Sequence, residues 1–115
     1  MTDTRLVNLT PHPVDIVIDG AVLTLQPLSP AARIDIHKEQ VAMFPLREGS
    51  VPVFRVSNGL TIDLPGAQPG VTYVVSRMVA DANPDRADLV FPLDLIRDEN
   101  GHIIGCGSFG TVHNS

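Results

Sequence analysis

Imidazole, guanidinium, carboxylate and a single thiol are the groups in this 115-residue chain with the chemistry to bind or transform a ligand. His12 stands between Pro11 and Pro13. Proline on both sides fixes the backbone and restricts where the imidazole, a ready ligand and proton carrier, can point. The plainer alternative is a rigid bend between strands with His12 in solvent. Arg86 and Asp88 are two residues apart and share a face if the chain is extended there. Asp88 can then hold Arg86 while the guanidinium fork faces an anion. Arg33 and Arg77 are further fork donors, against the alternative that loop acids and arginines mostly solvate. The expected ligand-binding set is therefore His12, Arg33, Arg77, Arg86 and Asp88. No catalytic residue, no metal ligand and no cofactor is assigned.

Other patterns fail on chemistry. Asp81-Ala82-Asn83-Pro84-Asp85-Arg86 begins like a calcium loop, but Arg86 stands where the turn needs Gly and Pro92 where a bidentate Glu is needed. His37, His102 and His113 show no paired spacing with His12 of the kind metal ligands usually have. Cys106 lies in an apolar, Gly-rich context and reads as a small buried hydrophobe rather than a nucleophile. The sequence lacks a P-loop, Gly-x-Gly-x-x-Gly, His-Glu-x-x-His and Gly-x-Ser-x-Gly.

The net charge of −5 and a pI near 5.1 argue against a nucleic-acid backbone as partner. No apolar run is long enough for a membrane span, and no apolar segment follows the N-terminal residues as in a signal peptide. One cysteine excludes an internal disulfide, so the expected setting is cytoplasmic.

These groups must be positioned by strands. Val, Ile and Thr make up about a quarter of the chain, a composition that favours sheet. The 10 Pro and 9 Gly are scattered as punctuation. Strands are expected at Arg5–Thr10, at Val14–Ile18 and Ala21–Leu25 around an Asp19-Gly20 turn, and at Ala32–His37 with Ile34 and Ile36 inward. Lys38 to Ser50 reads as a turn of helix followed by a loop. A second hairpin is expected over Val51–Ser57 and Leu60–Leu64 around Asn58-Gly59. Val71–Val75 fits a buried central strand. Ser76 caps a short helix that Pro84 ends. Short strands follow on either side of Pro92, and a last one begins after Asp98–Gly101. The sum is a single domain over residues 1–115: an all-β, mostly antiparallel small barrel or sandwich of about eight short strands, with one short helix near 76–82. An α+β fold is the alternative. Residues 107–115 are expected to form a flexible tail.

Several segments together carry a resemblance. They are Val7-Asn8-Leu9-Thr10-Pro11-His12-Pro13-Val14, Ser29-Pro30-Ala31-Ala32-Arg33, Pro69-Gly70-Val71-Thr72-Tyr73-Val74-Val75-Ser76, Arg86-Ala87-Asp88-Leu89 and Arg97-Asp98-Glu99-Asn100-Gly101-His102-Ile103-Ile104-Gly105-Cys106. The chain resembles, over most of its length, a family of small proteins of bacteriophages, prophages and actinobacteria that has no assigned activity. The resemblance implies a phage-linked accessory protein and carries over no functional residue.

Three functions fit these residues. The first is a non-enzymatic binding protein, phage-encoded and a candidate for anti-defence, that sequesters a small anionic, nucleotide-like ligand at a homo-oligomer interface. The second is a structural or protein-interaction accessory protein. The third is a small hydrolase using His12 with an Asp.

Overall fold

The computed structural model describes residues 4–113. Its elements are β1 (Arg5–Asn8), β2 (Val14–Ile18), β3 (Ala21–Leu25), β4 (Arg33–Leu46), β5 (Gly49–Ile62), β6 (Val71–Val74), α1 (Arg77–Ala82), β7 (Leu89–Arg97) and β8 (Ile103–Gly110). Six strands form one sheet in the order β1-β6-β7-β8-β2-β3, while among the described residues β4 and β5 pair only with each other. The sheet curls until its two ends nearly meet, so the fold is all-β with a small barrel. Most registered partners are antiparallel; the parallel contacts β1/β6, β6/β7 and β2/β8 are short.

Local chemistry explains the expected elements. Asp19 and Gly20 both have positive φ (48° and 82°), the type I′ geometry whose twist matches the flanking strands. β6 lies between two parallel neighbours, and Tyr73, Val74 and Val75 are buried. Ser76 caps α1, its hydroxyl accepting from the Val79 N–H at 3.3 Å. Asn83 ends the helix and ties it to β5, donating to Val79 O at 2.8 Å and Thr61 Oγ1 at 3.0 Å. The core gathers Leu9, Ala32, Ile34, Tyr73, Val75, Val79, Ala80, Leu89 and Phe91. Gly110 lies opposite Phe91, whose ring occupies the space a Cβ would need, at 2.6 Å.

The barrel closes at Asn8. Its backbone bridges Pro27, and its carbonyl accepts from Leu28 N at 2.7 Å. Its buried side chain donates to Leu25 O and His12 O, both at 2.9 Å, and its Oδ1 accepts from Thr10 N at 2.9 Å and Thr10 Oγ1 at 2.7 Å. Both amide hydrogens and both lone pairs are thereby used.

The largest departure from expectation is the segment Arg33–Ile62. The structure has one long ribbon there, turning at Arg47-Glu48, with Leu46 registered against Gly49. Lys38–Ser50 is strand and turn, without helix. Asn58-Gly59 is no turn but lies within β5. Glycine is required at position 59 because a Cβ would stand 2.7 Å from His37 Nε2 and 2.8 Å from Asp35 O. A register shift between Ile34 and Ile36 turns Ile36 outward, so only Ile34 reaches the core. β7 runs unbroken through Pro92, which lies beyond the residues that β6 pairs. The Gly-rich stretch expected as a tail continues β8 to Gly110, and Val112 packs against the core; Asn114 and Ser115 lie outside the described residues.

The ribbon strands have 14 residues each, a reach of about 45 Å. The radius of gyration is 17.9 Å, against about 13 Å for a compact domain of this length, and the extents are 61 × 40 × 27 Å. From Asp35 to Leu60 every residue is exposed except Val53 and Gly59, which are half-buried. No helix among the described residues is long and apolar enough to cross a membrane.

Asn8→Ala removes the closing amide and its bonds to groups of Thr10, His12 and Leu25, which are half-buried or exposed, so it is expected to cost about 2 kcal/mol in urea denaturation. His12→Ala keeps the carbonyl that Asn8 uses and is expected to change stability by less than about 0.5 kcal/mol.

Candidate functional site

The five residues singled out in the sequence have separate roles. His12 is exposed, and its backbone carbonyl, which accepts from the Asn8 amide at 2.9 Å, ties the loop together. The residue that organises this loop is Asn8. Its signal was available: Asn two residues before Thr is a side-chain turn pattern, here formed by both the Thr10 N–H and its hydroxyl.

Arg86 and Asp88 are brought together, but in the turn before β7 rather than on an extended strand. Arg86 donates from Nε and Nη2 to the two Asp88 oxygens, each at 2.8 Å, and from Nη2 to Pro65 O at 2.9 Å. The pair is largely buried. The hydrogen bond from Arg86 holds the Asp88 carboxyl below its usual range against the opposing effect of burial, and the same bond raises Arg86. Arg33 is paired with Asp63. Arg77 bonds Asp81 at 3.2 Å and stacks 4.7 Å from the Phe91 ring centre. Each of the three forks expected to face a ligand thus faces an aspartate of its own chain. Cys106 is buried, and burial pushes its thiol up, away from the reactive thiolate. Among the described residues no group of three His, Cys, Asp or Glu side chains is placed to hold a metal ion.

The surface depressions are open and mostly apolar. One of about 300 Å³ is lined by Leu9, Leu28, Pro30, Leu64 and Pro65, with Ser29 and Asp63 at its polar side. One of about 450 Å³ lies between the ribbon and α1 at Asn58, Arg77, Met78, Asp81 and Ala82. Three further depressions involve Leu28 or Arg5 and none of the five residues, so Arg77 alone of the five borders any of these depressions.

The feature with the most unsatisfied surface is the tip of the β4–β5 ribbon. Register sets Ala42, Phe44 and Leu46 opposite Val53, Val51 and Gly49, and sets Met43 and Pro45 opposite Pro52 and Ser50. Successive pairs alternate in face, so both faces of the tip are apolar. A solvated hairpin normally keeps one face polar. Polar stitching appears nearer the stem, where Lys38 sits 4.9 Å from the Phe54 ring centre and Arg55 lies 3.7 Å from Glu39. Comparison of the chain with family models, curated proteins and solved structures finds no match in any of the three.

A carboxylate held below its usual value stabilises the fold above that value and loses the effect as pH falls. The stability difference between the wild type and Asp88→Asn is therefore expected to be full at neutrality and to shrink as pH drops below 3.8, the usual value. Denaturation midpoints across that range measure it; a constant difference would show that the Arg86 contact does not depend on the Asp88 charge.

Proposed function

We propose that this protein is a non-catalytic structural and interaction protein that assembles with further copies of itself through the β4–β5 ribbon. The observation that carries this is a two-sided apolar tip on a ribbon that stands clear of its own barrel. An isolated two-stranded hairpin is marginal in water, and both faces of this one would lose free energy on exposure. Val41, Met43, Phe44, Leu46, Val51, Phe54 and Val56 are all exposed large apolar residues of this ribbon. Such a concentration marks an interaction surface rather than the scattered single residues normal on a monomer.

The way the tip docks also follows from its residues. Pro45 and Pro52 have no backbone N–H, which blunts both edges near the tip against strand addition. The tip therefore docks by its side-chain faces. An accessory role of this kind is what the resemblance to phage and prophage proteins implies. The small anionic ligand expected at an oligomer seam has less support, because Arg33, Arg77 and Arg86 already face Asp63, Asp81 and Asp88.

In sedimentation velocity over a hundredfold concentration range, the full chain is expected to run larger than a monomer. Phe44→Asp with Leu46→Asp is expected to run as a monomer, with an unchanged far-UV circular dichroism spectrum because both positions are already exposed. A wild-type chain that stays monomeric throughout the range removes the proposal.

A further inference from the structure

We infer that the ribbon tip of one copy seats on the apolar end of the barrel of a second copy, where β7, β8, β2 and β3 lie side by side, and that two copies exchange tips reciprocally. This rests on the self-assembly proposed above and adds the surface that receives the tip.

The barrel is covered unevenly. Along β7, Leu89 and Phe91 are 2% and 6% exposed, whereas Leu93 and Leu95 are 41% and 55% exposed. The covered residues share the core with Val79 and Ala80 of α1 and with Ala32 and Ile34 at the ribbon root. Beyond Pro92 that cover is absent. The neighbouring strands continue the patch: Ile103 on β8, Ile18 on β2 and Leu23 on β3 are exposed. Register places Leu95, Cys106, Ile16 and Leu23 at one level across all four strands. Cys106 and Ile16 are buried in the middle of that row and the leucines are open at its ends. The chain's own tip does not cover this surface, since both are exposed in the same molecule.

Charge disfavours the pairing of two barrel ends. The segment Arg33–Ile62 carries Arg33, Lys38, Arg47 and Arg55 against Asp35, Glu39 and Glu48, a net +1, which leaves −6 on the remainder. Asp19 follows Ile18, Asp94 stands between Leu93 and Leu95, and Asp98 and Glu99 follow Arg97, the basic residue of β7; Asp15, opposite Thr24, is on the other face of the sheet from Ile16. Barrel-on-barrel contact would set two acidic surfaces together, whereas the tip, whose charged residues over 41–54 are Arg47 and Glu48, sets no net charge against them. Area favours reciprocity. One face of a tip presents on the order of 300 Å² of exposed apolar side chain and the barrel end about 400 Å², so exchange of two tips buries about 1,400 Å², within the range of a stable interface, while one tip alone buries about half that. Two packed sheets about 10 Å apart are the expected geometry.

The test uses two full-length variants, with the fold of each checked by circular dichroism and urea midpoint. One carries Phe44→Asp and Val51→Asp and keeps its barrel end. The other carries Leu23→Asp and Leu95→Asp, both at exposed positions, and keeps its tip. Each alone is expected to be monomeric in sedimentation velocity, and an equal mixture is expected to form a heterodimer, weaker than the wild-type dimer and populated at higher concentration, through the one intact tip and the one intact barrel end. In the wild type, hydrogen exchange is expected to slow with rising concentration both in the ribbon tip and in β2, β3 and the second half of β7. Self-association of the barrel-end variant at wild-type strength overturns the inference, as does a mixture that stays monomeric or protection confined to the ribbon. All three outcomes presuppose an oligomeric wild type and are thus separate from failure of the self-assembly itself.

Discussion

The sheet closes on one buried amide. β1 and β3 are its two ends, and no strand ladder joins them; the Asn8 side chain reaches Leu25 O while its backbone carbonyl takes the Leu28 N–H. Leu9 O then accepts from Ala32 N at 2.9 Å, so the chain leaving β3 is fastened across the end of β1. That fastening delivers Ala32 and Ile34 into the core and fixes where the ribbon starts. A buried amide with every donor and acceptor used specifies one arrangement, because any slip leaves polar groups unpaired in a low-dielectric interior.

The ribbon inherits its direction from that root. Asn83 adds a second tie from α1 to Thr61 near the end of β5, and Arg33 pairs with Asp63 just beyond it. The stem is thus held by polar contacts while the tip carries almost none. A rooted stem with an apolar, proline-blunted tip is suited to face-on docking and poorly suited to uncontrolled edge pairing. Anchoring also lowers the entropy lost on docking, since a pre-ordered ribbon has less to give up than a loose loop.

The charged residues do mostly internal work. Arg86 joins the turn before β7 to the Pro65 carbonyl through a two-pronged contact with Asp88, and Arg77 covers Phe91, whose ring also fills the space beside Gly110. In a chain this short, with few aromatics, guanidiniums that are both planar and multiply donating can stitch loops to strands and cover ring faces.

Short-range chemistry was legible in the residues themselves. Asp19-Gly20 demanded its turn, Ser76 and Pro84 bracketed the helix, the apolar run Val71–Val75 marked a strand buried on both sides, and Arg86-x-Asp88 announced a pair. Each depends on contacts within a few positions or on a local preference strong enough to act alone. The ribbon was not legible, because its evidence is reversed: Pro45 and Pro52 read as breaks yet lie in paired strands, and Asn58-Gly59 reads as a turn yet is a close approach to His37. Only the tertiary structure shows that these strands have no neighbour needing the proline N–H and that the glycine makes room for a ring. Likewise the sequence pointed to the Thr10–Pro13 loop but not to Asn8 as its centre, since the Leu25 carbonyl it holds is 17 residues away. Sequence determined the elements whose causes are local; the closure, the ribbon and the bare barrel end were decided by distant partners, present or missing.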